Sequence, residues 1–298
     1  DAAYLPWAQV SLDKKAIRGS RGAVLALLMH VNMWLAGFDE SHKTSYYEAV
    51  VNYGEQLVNQ NGGTYTLLPL SQTNTIFRGG SSEGIFEIAQ NPSYISGNEV
   101  FEFKAVFANE VMCSVYSPAK STPNLCYTYD FLTKIYPPSE TDDRVDAWFD
   151  ENIYSTLDGA PKEILKFENP DIYNDALTAN AGNQVVFRLA DAILLYAEAL
   201  ADLGTNDGKA CELLNRIRTR AGASTLSLSG DDLKDAIYWE RVRELMGEGH
   251  YFYDLVRTGK VCDNNYCYHP ITRSEFREGA WTWPISKTAQ ENNTLITL

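Results

Sequence analysis

Residues 185–222 read VVFRLADAILLYAEALADLGTNDGKACELLNRIRTRAG. Wound at about 100° per residue, Leu189, Ala192, Ile193, Tyr196, Ala199, Leu200 and Leu203 fall on one stripe. After the turn GTNDG a second stripe runs through Ala210, Leu213, Leu214, Ile217 and Ala221, and Gly222 stands where a left-handed helix cap is needed. Two antiparallel helices joined by a short turn are the expectation. Small residues at Ala192, Ala199, Ala210 and Ala221 let the axes approach closely, as in tetratricopeptide-type repeats with a period of about 34 residues.

A second hairpin is expected upstream. Residues 21–37 carry a stripe of Val24, Leu27, Leu28, Val31 and Leu35, while Met29 and Met33 on the other side predict burial almost all round. After GFDESH, Tyr46, Val50, Tyr53 and Leu57 recur at helical spacing until Gly62 and Gly63. Between the hairpins, 64–70 (TYTLLPL) and 84–89 (GIFEIA) read as short strands. Residues 91–184 have no sustained period and hold Pro92, Pro118, Pro123, Pro137, Pro138, Pro161 and Pro170, and a loop region of that length in a compact chain is usually functional. The expected fold is mostly α: tetratricopeptide-like helix hairpins with a loop-rich, minor-β ligand-binding region. Its divisions are 1–63 (repeat helices), 64–184 (strands and loops) and 185–298 (C-terminal helices).

Composition narrows the function classes. The 298 residues are 45% hydrophobic and 21% charged, an ordinary globular balance. A formal charge of −14 repels phosphate backbones and anionic lipid, which argues against nucleic acid as a partner. The longest apolar run, 23–38, is interrupted by His30 and Asn32 and is shorter than the roughly 20 residues of a membrane helix. DAAYLPWAQV does not read as a secretory leader. Five cysteines exclude a fully paired set. Cys211 reads as a buried thiol, while Cys113/Cys126 and Cys262/Cys267 can each bridge in an oxidising compartment or stay free.

Catalytic patterns are present only as letters. GSSEG (80–84) matches the nucleophile elbow at Ser82, yet an elbow follows a strand and precedes a helix, and here a strand-like run follows. SPAK (117–120) has no accompanying K-T-G or S-D-N. His30, His42, His250 and His269 are scattered without metal-ligand spacing, so no metal or cofactor is expected. The acidic DDRVDAWFDE (142–151) offers paired carboxylates that would suit a glycoside hydrolase, but reads better as a solvated, arginine-paired turn.

The segment ERVRELMGEGHYFYDLVRTGK (240–260) is the anomaly. Glu240 and Glu244 fall on the greasy stripe of Leu233, Ala236 and Ile237, where unpaired charges would cost several kcal/mol. The expectation is that they form buried pairs with guanidinium groups drawn from Arg188, Arg216, Arg218, Arg220, Arg241, Arg243 and Arg257, locking the last helix onto the preceding hairpin.

Taken in order, VVFRLADAILLYAEALADLG, ACELLNRIRTRAG, ERVRELMGEGHYFYDLVRTGK and WPIS resemble the C-terminal part of the SusD/RagB family of surface lipoproteins. YLPW, RGAVLALLMHVNMWLAG, EGIFEIAQ and DDRVDAW resemble earlier pieces, so the likeness spans nearly the whole chain. The resemblance implies a non-catalytic binding protein of the Bacteroidetes outer membrane. It would capture glycan, or peptide in some branches, and hand it to a TonB-dependent transporter of the SusC type. It also implies a longer protein with a lipidated N-terminal cysteine, of which this would be a C-terminal portion.

Pyranose rings present flat C–H faces, which call for exposed aromatic planes with polar companions. The loop region supplies Tyr94, Tyr116, Tyr127, Tyr129, Tyr136, Trp148 and Tyr154, with Asn124, Asp130 and Arg144 beside them. The ligand-binding candidates are Tyr116, Tyr127, Tyr129 and Trp148, whereas Trp281 and Trp283 read as packing.

Overall fold

The computed structural model describes residues 7, 16–89, 127–149, 153–154, 164–167, 170–173, 176–180 and 182–283. Tyr94, Tyr116, Cys113, Asn124, Cys126 and the SPAK segment lie outside them. The chain divides into two compact units, 1–251 and 252–298.

The first unit is mostly helical. Helix α1 (Arg21–Phe38) starts at Ser20, whose hydroxyl accepts from the Ala23 N–H, and packs on α2 (Lys43–Gly54), which runs on as a wider π turn over Glu55–Asn59. Short α3 (Thr73–Arg78) precedes strand β1 (Gly84–Ile88). Next come α4 (Tyr129–Ile135), α5 (Arg144–Trp148), the antiparallel pair β2 (Pro170–Tyr173) and β3 (Ala176–Asn180), and β4 (Gln184–Arg188), which pairs antiparallel with β1. β4 runs directly into α6 (Leu189–Leu203), followed by α7 (Asp207–Arg220) and α8 (Gly230–Glu244).

α6 is the axis of the core. Every residue from Leu189 to Ala201 is buried, because α1, α2, α7 and α8 all pack against it. Each large aliphatic side chain so covered contributes about 1.5–3 kcal/mol. The sequence places small residues where axes meet: a Cβ on Gly54 of α2 would lie 2.6 Å from the Tyr196 ring of α6, so only glycine permits this crossing. The hairpin turn closes on Gly204 in the left-handed conformation, and Gly222 (φ 64°) ends α7 as its place in the sequence requires.

Two of these expectations need correction, and the one for Ser82 stands. The stripe read on α1 faces outward: Leu27, Val31 and Leu35 are exposed, and the core is met by Leu25, Ala26, Met29, Met33 and Ala36. On a helix apolar all round, periodicity does not identify the inner face. At 18 residues and mean hydropathy 1.3, α1 does have the length and composition of a short membrane span, although its inner face belongs to this core. Residues 64–69 form no strand, and β1 pairs instead with β4, most of which falls in the segment 185–298 expected to be helical. The order around Ser82 is helix, turn, strand, the reverse of a nucleophile elbow, and its hydroxyl accepts from Thr66 at 2.9 Å.

The second unit contains most of α9 (Tyr251–Arg257) and α10 (Arg273–Arg277), the latter opened by a capping box of Thr272 and Glu275. Cys262 and Cys267 are free thiols rather than a bridge. Trp281 donates to the Phe276 carbonyl at 3.1 Å, but Trp283, read as packing, stands 88% exposed.

Candidate ligand-binding surface and its charged foundation

Glu240 and Glu244 are fully buried, and both are paired. Arg144 of α5 places its guanidinium between them, 2.8 Å from Glu240 and 3.2 Å from Glu244, while a two-pronged contact with Asp142 (2.6 and 2.8 Å) fixes its plane. Arg218 and Arg243 add contacts of 3.1 and 3.2 Å to Glu240. Glu244 also meets Arg188 at 2.7 Å and Arg220. Arg188 reaches Glu83 at 2.8 Å and grips Glu248 in two-pronged fashion at 2.6 and 2.7 Å. Arg220 joins Glu83 at 3.0 Å.

One buried lattice of ion pairs thus ties α5, α7 and α8 to the start of β1 and the end of β4. Burial opposes ionisation of Glu244, but Arg220, Arg188 and Arg144 outweigh it and hold its carboxyl well below the usual range. Glu240 is lowered for the same reason, burial being overcome chiefly by Arg144. The expected partners Arg188, Arg218, Arg220 and Arg243 are present; Arg241 and Arg257 serve Asp191 and Asp254 instead. Arg144 was not among them, because it arrives from 100 residues away. The acidic segment around it is arginine-paired as expected; Asp143 and Asp146 are exposed to solvent, whereas the paired side chains of Arg144 and Asp142 are buried.

Lys166 sits beneath this lattice, donating to the carbonyls of Glu244 (2.8 Å) and Met246 (3.0 Å) and to Glu248 (2.5 Å). Burial depresses its pKa to about 8 despite the pull of Glu248.

The candidate ligand residues separate here. Trp148 is 2% exposed, its Nε1 donates to Thr73 Oγ1 at 3.1 Å, and Lys166 lies 4.2 Å from its ring centre. It is a core residue with both its edge and its face occupied, and it has no free plane for a sugar. Tyr136, at 1%, is likewise buried and reaches the Arg243 carbonyl.

Tyr129, opening α4, is 42% exposed. Tyr127 is half-buried, stacks on Phe131 (5.5 Å between ring centres, 15° between planes) and hydrogen-bonds the Gly247 backbone. Phe131 meets Tyr251 edge-on at 5.8 Å. The Gly247 contact places this aromatic patch at the end of α8, beside the charge lattice. The sequence does not single out Phe131, which stands in the region without sustained period, or Tyr251, which belongs to the glutamate segment.

The fold also assembles a group that the sequence disperses: His30 of α1, Asp191 of α6 and His250, each offering a donor atom within 4.8 Å of the others. Burial opposes ionisation of Asp191, yet His30, His250 and Arg241 hold its carboxyl well below the ordinary range, and burial lowers His250.

Set against known proteins, residues 130–296 match the profile of the SusD family. The chain belongs to that family. It is 54% identical to the crystal structure of a SusD homolog from Bacteroides thetaiotaomicron, with a TM-score of 0.88, covering 98% of this chain and 62% of that one. A SusD superfamily protein from Parabacteroides distasonis shares the fold at 20% identity and a TM-score of 0.72, covering 97% of this chain and 64% of that one. A SusD-like protein of Formosa agariphila is 39% identical over 105 residues, which is 34% of this chain and 20% of that protein. The chain therefore spans less than two thirds of each of these relatives.

Proposed function

We propose that this chain is part of a non-catalytic surface-binding subunit that captures oligo- or polysaccharide and passes it to a SusC-like TonB-dependent transporter in the outer membrane, the whole protein being held there by a lipid anchor. What carries the proposal is the 54% identity to a SusD homolog across 98% of the chain. The aromatic patch supports it: Tyr127, Tyr129, Phe131 and Tyr251 offer partly exposed rings of the kind that stack on pyranose C–H faces. Tyr116 remains a candidate on sequence grounds. Stacking on two or three rings offers a few kcal/mol against ordering costs, so single oligosaccharides bind weakly and polymers gain from multivalency.

Affinity electrophoresis through gels containing plant, host-mucin and microbial polysaccharides tests this. One polymer class retards the protein, and Tyr129→Ala or Tyr127→Ala reduces the retardation while leaving the fold intact. Release of reducing sugar from any retarding polymer, or full retardation of both variants, would defeat the proposal.

A further inference from the structure

We propose that His30, Asp191 and His250 form a binding site for a divalent transition-metal ion of the zinc class. The three donor atoms lie within 4.8 Å of one another. His30 Nε2 is 2.6 Å from Asp191 Oδ2, and the two imidazoles stack at 5.4 Å with their planes 25° apart. Zinc holds nitrogen and oxygen donors at about 2.0–2.2 Å, so donors around a tetrahedral ion stand about 3.3 Å apart. To reach that spacing the His30–Asp191 contact widens by roughly 0.7 Å and the His250 donor, which lies within 4.8 Å of both, draws inward.

The surroundings orient the donors as supporting contacts do in metal sites. Phe187 stacks on the His30 ring at 4.8 Å, which turns the Nε2 edge toward Asp191. Arg241 takes Asp191 Oδ1 at 3.0 Å and leaves Oδ2 as the ligating oxygen. Arg241 is the cation facing the site, and it is offset by Asp191 and by Glu198 at 3.8 Å, so the neighbourhood stays net negative before a metal enters.

Two imidazoles and one carboxylate favour zinc, cobalt, nickel or copper over magnesium and calcium. Three protein ligands leave the fourth position open, and the His30 side chain, 24% exposed, gives access from solvent. On binding, the Nε2 lone pair of His30 is donated to the metal. The proton it shared with Asp191 moves to Nδ1 or is released to solvent.

The test uses the full chain, stripped with a chelator and titrated with zinc chloride by calorimetry. A sample with 15N-labelled histidine is followed in parallel. The expected result is one equivalent bound, with ring-nitrogen shifts at His30 and His250 and none at His42 or His269. Cobalt should give visible d–d bands without a thiolate charge-transfer band, which separates this site from Cys262 and Cys267. His30→Gln and His250→Gln should each weaken binding at least about tenfold, and His42→Gln should not. If either variant fails to fold, the wild-type spectra decide. Absence of saturable binding, a thiolate band, or shifts confined to His42 and His269 overturns the proposal.

Discussion

Replacing Glu244 by Gln should be among the most damaging isosteric changes available in this chain. Its Oε1 accepts from Arg188 at 2.7 Å and from Arg220, while its Oε2 accepts from Arg144 at 3.2 Å. Glutamine can keep its carbonyl oxygen toward Arg188 and Arg220. Its amide N–H2 is then forced against the Arg144 guanidinium, donor against donor. Those three cations, all at most 8% exposed, share one carboxylate fewer. Breaking a buried pair in this way costs about 3–5 kcal/mol. Because Glu83, Glu240, Glu248 and Asp142 still serve the same guanidinium groups, the lower end, about 3 kcal/mol, is expected. In a chain of this size that corresponds to a fall in melting temperature of roughly 6–12 °C. Calorimetry and urea unfolding measure it, with Glu212→Gln as control: Glu212 is 60% exposed beside Lys209, and its loss should change stability by less than about 0.5 kcal/mol. A Glu244→Gln protein melting within about 1 °C of the parent would refute the claim that the lattice holds α8 in place.

Two further outcomes follow from the same core. Lys166 has a folded pKa near 8 against 10.5 in the unfolded chain, so between those values the unfolded state binds more protons and stability rises with pH. The rise ends near pH 10, where tyrosines such as Tyr136, pushed up by burial, keep protons that the unfolded chain loses. Lys166→Met should abolish the rise in urea midpoints between pH 8 and 10, and an unchanged slope would sink this assignment. Trp148→Ala should lower stability by about 3–5 kcal/mol without altering polysaccharide retention by the folded protein, and selective loss of retention would return Trp148 to the ligand surface.

The hairpin at 185–222 was legible because α6 and α7 each set apolar residues at helical spacing with glycines at their ends. α1 was legible as a helix but not in its orientation, since Leu27, Val31 and Leu35 outside are as greasy as Leu25, Met29 and Met33 inside. Two glutamates on an apolar stripe announced buried pairing, and α7 supplied Arg218 and Arg220 as expected. Arg144, Glu83 and Lys166 were not legible, because nothing local in sequence marks a partner that arrives through tertiary folding. The same holds for His30, Asp191 and His250, whose proximity is created only when α1 packs against α6. The burial of Trp148 was not legible either, because composition cannot tell an aromatic that faces solvent from one pressed against Lys166.

The ion-pair lattice also constrains the order in which the chain can finish folding. Besides local pairs such as Arg144–Asp142, its contacts join residues 78, 100, 105 and 137 positions apart, so several long loops have to close before the lattice is complete. Topologies of this kind fold slowly. During synthesis Glu83, Arg144, Lys166 and Arg188 emerge well before Glu240, Glu244 and Glu248, and the pairs that these late residues complete stay unmade until then. The late helix α8 is therefore the keystone of assembly, and a nascent chain halted short of residue 240 keeps Asp142 for Arg144 and Glu83 for Arg188 but leaves the Lys166 ammonium to water, since Glu244, Met246 and Glu248 do not yet exist.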